Sequence, residues 1–412
     1  MLRVSAHVDR FAREHLPPPD QWPSLSFDLE ALAYPDRLNC GVELLDRAVD
    51  EAGPGKTAIV QGDRTWRYGD LAAAANRIAH VLVRDYGVVP GARVLLRGAN
   101  TPELFAAWLA VMKAGAIAVT TMPMLRAHEL RQVVVKARVA LALCQHDLTA
   151  DLAALVGDTP LETVATFGAP GAAIEGLAAG KPDRFRAVDT AQDDVALIAF
   201  TSGTTGEPKA TMHFHRDVMA MCDTFAAHML QPTEGAVFSG TPPIAFTFGL
   251  GALLVFPLYF RATIALPEVG TPAGLAATVD RHRVTHLFTS PTAYRAILAR
   301  RAEFDLSSLR VCVSAGEALP GHVSDAWCDA TGIRIVDGIG STELIHIFIS
   351  ACGADVRPGA VGKPVPGYAA CLFDDQDHVI EGPGTGRLGV RGPTGCRYLA
   401  DPRQQADRKS VV

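Results

Sequence analysis

Between Val195 and Phe200 the chain reads Val-Ala-Leu-Ile-Ala-Phe, six apolar residues with no polar interruption. A strand with one wet face alternates apolar and polar residues. A run this short and uniform suits a strand covered on both faces, the usual situation of parallel strands in layered architectures. Neighbouring segments fit the same scheme. Arg93–Arg97 and Ile117–Thr121 read as short strands, Leu71–Val83 carries apolar residues at helical spacing, and Pro102–Ala114 reads as a helix stopped at Gly115. Alternating strand and helix patterns predict an α/β fold with largely parallel sheets. Near the end, Pro364–Gly367, Gly382–Gly384 and Gly392–Gly395 punctuate the strand candidates Ala369–Phe373 and Arg387–Arg391, as in a small β-rich unit with hairpin turns. The Gly/Ala-rich stretch Gly168–Gly180 reads as a surface loop.

At 412 residues the chain exceeds one ordinary compact unit, and we expect subdomains near 1–190, 191–360 and 361–406. Apolar residues make up 49% and charged residues 20%, enough to bury sizeable cores. The net charge of −6 and the absence of a Lys/Arg block argue against nucleic acid or an anionic membrane surface as partner. Eight scattered cysteines, with no CxxC pair and no zinc-site spacing, read as reduced thiols of a cytoplasmic protein. The N-terminal stretch lacks the continuous apolar core of a secretory signal. Ala236–Phe260 carries no charge, but Pro242, Pro243 and Pro257 interrupt it and its unbroken part is too short to span a bilayer, so it reads as a buried helix.

The chemistry concentrates in Phe200-Thr-Ser-Gly-Thr-Thr-Gly-Glu-Pro-Lys209, directly after the apolar strand. From Thr201 to Lys209, nine residues hold four hydroxyls (Thr201, Ser202, Thr204, Thr205), two glycines (Gly203, Gly206) and one lysine. Glycines let backbone N–H groups approach a polyphosphate, hydroxyls donate further hydrogen bonds, and Lys209 supplies a compact positive charge. No Gly-Lys-Ser/Thr closes the loop, so it is not a Walker A motif. Taken as an isolated Gly-rich loop, it would read as a solvated Ser/Thr/Gly turn.

The whole string resembles the signature of the adenylate-forming superfamily, which includes acyl- and aryl-CoA ligases, luciferases and peptide-synthetase adenylation domains. Lys113–Val119 resembles its early helix-to-strand motif, Ser314-Ala-Gly-Glu-Ala-Leu-Pro320 the turn beside adenine, and Asp337-Gly-Ile-Gly-Ser-Thr-Glu343 the motif that closes over the nucleotide. The fold implied is the large N-terminal domain of these enzymes. The resemblance assigns ATP contacts to Thr201 through Gly206, Gly316, Glu317, Ala318, Asp337, Gly338 and Ile339. It gives Lys209, Thr342 and Glu343 catalytic roles, with Thr342 at the α-phosphate and Thr205 and Glu343 at Mg2+. Magnesium's preference for carboxylate and phosphate oxygens makes that chemically sensible. Ile339 stands where many members have an aromatic residue, a departure shared by benzoate-type aryl-CoA ligases.

The acid's identity is expected in Phe246, Thr247, Phe248, Gly249 and His346, with Gly316, Gly338 and Ile339 leaving room opposite. For one of the two phenylalanines a core position is an equal alternative, as it is for His346. Leu38–Ala48 and Pro243–Leu254 are most similar to 2-aminobenzoate–CoA ligases and next to benzoate–CoA ligases. The resemblance therefore implies ATP-dependent activation of an aromatic carboxylate, with CoA as the second substrate and a homodimer as an allowed assembly. The family's ribose aspartate, hinge and late lysine cannot be assigned here, so the C-terminal cap domain is expected to be absent and complete turnover low. Residues 407–412 are expected to be non-native, since one reverse translation resembles a sequencing adapter. Two alternatives stay open at this point: loading of an aryl acid onto a carrier protein, and nucleotide binding without catalysis.

Overall fold

The computed structural model describes residues 2–201, 208–357 and 359–402. Along the chain the strands are β1 (Thr57–Gln61), β2 (Arg64–Arg67), β3 (Arg93–Arg97), β4 (Ile117–Thr121), β5 (Leu141–Gln145), β6 (Thr163–Phe167), β7 (Val195–Thr201) and β8 (Lys209–Phe214). They continue as β9 (Val237–Gly240), β10 (Thr263–Leu266), β11 (His286–Phe288), β12 (Val311–Ser314), β13 (Val336–Gly340), β14 (Ile347–Ser350), β15 (Lys363–Pro364), β16 (Ala369–Phe373) and β17 (Arg387–Arg391).

Three sheets result. The first has six strands in the order β6-β5-β3-β4-β7-β8, parallel except for β8, which turns back antiparallel on β7. The second has nine, in the order β15-β14-β13-β12-β11-β9-β10-β1-β2, parallel from β13 to β1 and antiparallel at its edges. The third is the β16–β17 hairpin. The α/β class and the strands expected at 93–97, 117–121, 195–200, 369–373 and 387–391 are all found.

Between the two large sheets lies the main core. It draws Val94 and Leu96 from the first sheet, Ile59 and Ile264 from the second, and packs both against the helices Tyr68–Arg84 and Pro102–Lys113. Pro102–Lys113 is apolar almost all round because it is covered on every side, and its Glu103 is its single residue that is not buried. Thr101 starts that helix, its hydroxyl accepting the Leu104 N–H, with Pro102 at the first helical position.

The two large sheets interleave along the chain: β7 and β8 complete the first, whereas β1 and β2 join the second. Parallel pairing links strands through long crossovers, so sheet membership need not follow sequence order. Gly168–Gly180 holds a short helix, Ala173–Ala178, whose Ile174 is buried, so only its start is a turn. Within Ala236–Phe260, Val237–Gly240 is strand β9, and the helical part runs from Thr247 to Tyr259. Among the described residues no helix is long and apolar enough to cross a membrane.

Candidate functional site

In both large sheets, the residues singled out by the sequence gather at the carboxyl ends of parallel strands, where layered α/β proteins bind ligands. In the first sheet β7 ends at Thr201, which pairs across the hairpin with Lys209, the first residue of β8. The intervening Ser202, Gly203, Thr204, Thr205 and Gly206 lie outside the described residues. In the second sheet β9, β11 and β12 end nearly level, Gly240 pairing with Phe288 and Phe288 with Val313, whereas β13 starts at that level, Val336 pairing with Val313, and runs on to Gly340.

The segments leaving these ends line one edge. After β12, Gly316 sits at φ +90°, a conformation that favours glycine, and an added Cβ would find no atom within 4 Å. Glu317 and Ala318 beside it are exposed. On β13, half-buried Asp337 accepts the Gly338 N–H at 3.0 Å. Burial raises its carboxyl pKa above the usual value, partly offset by the amides of Gly338 and Leu319. Ile339 is partly exposed on the same strand. Gly338 does not leave room, contrary to expectation: a Cβ there would lie 2.6 Å from the Ile347 side chain on β14. Its lack of a side chain serves the β13–β14 contact.

The acid segment follows β9. Phe246 is 52% exposed, Thr247 is buried, and Phe248 is half-buried with its ring centroid 5.8 Å from both Phe288 and His346. Gly249 is required by crowding, because a Cβ would meet the Pro243 carbonyl oxygen at 2.1 Å. His346 is buried, with the ring of Phe225 at 5.0 Å and that of Phe256 at 4.8 Å. Desolvation there pushes its pKa down to about 3. Of the two phenylalanines, Phe248 packs against the core and Phe246 is exposed.

One histidine that the sequence reading passed over joins the two sheets. His213 of β8 donates Nε2–H to the Thr342 carbonyl at 2.8 Å. Burial lowers its pKa to about 4, so the ring is neutral and can hold the tautomer that this acceptor requires. The strand that begins at Lys209 is thereby fastened to the turn that carries Thr342 and Glu343. Glu343 is nearly buried and accepts the Tyr398 phenol hydrogen at 2.7 Å. A cavity of about 600 Å³ opens on the hairpin side of Glu343, toward Trp22 and Arg391. Nothing in the local sequence marked His213 or Tyr398, since both act through contacts more than fifty residues distant.

A family model described as AMP-binding enzyme matches residues 45–398. The chain belongs to this family. A benzoate–CoA ligase of Thauera aromatica is 33% identical over 387 residues, covering 91% of this chain and 73% of that protein. An anthranilate–CoA ligase of Pseudomonas aeruginosa is 32% identical over 312 residues, 74% of this chain and 59% of the relative. The crystal structure of the anthranilate CoA ligase AuaEII with anthranoyl-AMP superposes with a TM-score of 0.88 at 30% identity, over 92% of this chain and 74% of that one. This AMP-binding enzyme therefore has the α/β fold expected from its motifs, and the expectation of an AMP-forming acid–thiol ligase is borne out at the level of the family and its named relatives.

Proposed function

We propose that this AMP-binding enzyme activates an aromatic carboxylate of the benzoate or 2-aminobenzoate type and passes it to CoA. A carboxylate oxygen attacks the α-phosphorus of ATP, the bond to pyrophosphate breaks, and acyl-adenylate forms. The CoA thiol gives up its proton and its sulfur bonds to the acyl carbon as that carbon's bond to the phosphate oxygen breaks, so that AMP leaves. No side-chain nucleophile is needed, so the protein contributes positioning and charge.

The observation that carries the reading is the hydrogen bond from His213 to Thr342, which joins the Lys209 strand to the Thr342–Glu343 turn. In this reading Lys209 meets phosphate charge, Thr342 the α-phosphate, and Asp337 and the Gly316 turn the adenine. The donor set fits magnesium: one carboxylate, Glu343, leaves the other positions to substrate phosphates and water. The cation would offset charge on the departing pyrophosphate. Phe246 and Phe248 offer flat apolar surface to an aromatic ring, and the named relatives act on benzoate and anthranilate. Cys40, Cys144, Cys222 and Cys312 are buried thiols, which suits a reducing cytoplasm, where ATP and CoA are at hand. The test is acid-dependent pyrophosphate release over a panel of benzoates and short aliphatic acids. Benzoate and 2-aminobenzoate should give the highest kcat/KM; equal rates with acetate would overturn the aromatic assignment.

A further inference from the structure

Tyr398 touches both charged groups of the proposed site. Its hydroxyl donates to Glu343 Oε1 at 2.7 Å, and the Lys209 Nζ stands 5.5 Å from its ring centroid, within reach of the ring's negative face. Its backbone is pinned to the strand that carries Lys209. Thr211 bridges Tyr398 antiparallel, the Met212 N–H donates to the Arg397 carbonyl at 2.8 Å, and the Leu399 N–H donates to the Ala210 carbonyl at 2.8 Å. Next door, the buried Arg397 guanidinium donates to Asp217 at 2.8 Å and lies over the Phe214 ring at 4.1 Å. The edge pairing fixes the Tyr398 backbone beside β8, and burial of the side chain packs the ring in place. Among the described residues nothing hydrogen-bonds to Glu343 Oε2.

We propose that Tyr398 is a positioning residue: it holds Oε1 of Glu343 and turns Oε2 toward the divalent cation of the metal–nucleotide complex, while its ring seats Lys209. A carboxylate bound to a cation gains orientation from a donor on its second oxygen, and loss of such a partner typically weakens metal binding or activity by about 10–100-fold. The inference rests on the reading of Glu343 as the cation's carboxylate.

The test is Mn2+ binding in the presence of saturating ATP, followed by the free-Mn2+ electron paramagnetic resonance signal. It uses the wild type, Tyr398→Phe, Glu343→Gln and the double variant, and needs no turnover. Phenylalanine keeps the ring, so thermal melting should stay near wild type while Mn2+ affinity falls about tenfold. Glu343→Gln should fall at least as far, and the double variant no further than Glu343→Gln alone. ATP binding in EDTA should be the same for all four proteins. Unchanged Mn2+ affinity in Tyr398→Phe, beside a loss in Glu343→Gln, would overturn the role of Tyr398 and leave Glu343 as the cation's ligand. Unchanged affinity in both would remove Glu343 from the cation and this proposal with it. Equal losses with and without metal would assign Tyr398 a structural role and overturn the proposal.

Discussion

Lys209 begins a strand, yet its side chain is only half-buried, forms no ion pair among the described residues, and rests near one aromatic face. Little of the packing depends on it. Lys209→Ala should therefore melt within about a degree of the wild type, because surface substitutions away from packed features usually stay within about 0.5 kcal/mol. Acid-dependent pyrophosphate release should fall by about 100-fold, the usual cost of removing one group that meets transition-state charge. An unimpaired rate would remove the lysine from the reaction. His346 shows the opposite case. The sequence left a ligand contact and a packed core position equally open, and three phenylalanine rings enclose it. Residue type alone could not tell a half-buried lysine beside one ring from a histidine enclosed by three, because burial is decided by distant packing.

Among the secondary-structure elements, β13 and β14 approach so closely that Gly338 has no room for a methyl group beside Ile347. Gly338→Ala should destabilise the protein by about 1–3 kcal/mol through overpacking. Adding Ile347→Val should recover part of that loss, because it removes a methyl group from the crowded side chain. Urea unfolding of the two single variants and the double variant checks this, and strictly additive effects would mean that the two residues do not compete for space. Such contacts set the boundary of what was legible. The runs 93–97, 117–121, 369–373 and 387–391 announced their strands through local pattern. Local pattern could not show that β1 and β2 belong to the later sheet, or that residues 397–399 lie along β8, since those pairings are made over long separations. The helix Ala173–Ala178 was hidden for another reason: six residues are too short a window for a helical period to show.

For the whole molecule, four buried histidines make stability depend on pH. Desolvation lowers His213 and His286 to about 4, and His215 and His346 to about 3, against an ordinary value of 6.5. Below about pH 6.5 the unfolded chain takes up protons that the folded rings refuse, so stability present at neutral pH is lost as pH falls toward 4. Each ring contributes up to about 1.4 kcal/mol per pH unit in that window. Burial also raises the pKa of Asp223 and Asp337, which acts with the opposite sign but mainly below it, nearer the carboxylate range. The urea midpoint should thus fall by several kcal/mol equivalent between pH 7 and 5; a flat profile would show that these rings are not held neutral. The interleaved sheets carry a further consequence, for synthesis. Ile59 of β1 pairs with Ile264 of β10, so the hairpin that closes one end of the larger sheet leaves the ribosome roughly 200 residues before its partner, a wait of about 10–40 s at ordinary translation rates. Throughout that interval β1 presents an unpaired edge, and the nascent chain is then most exposed to wrong strand pairing and most dependent on chaperones.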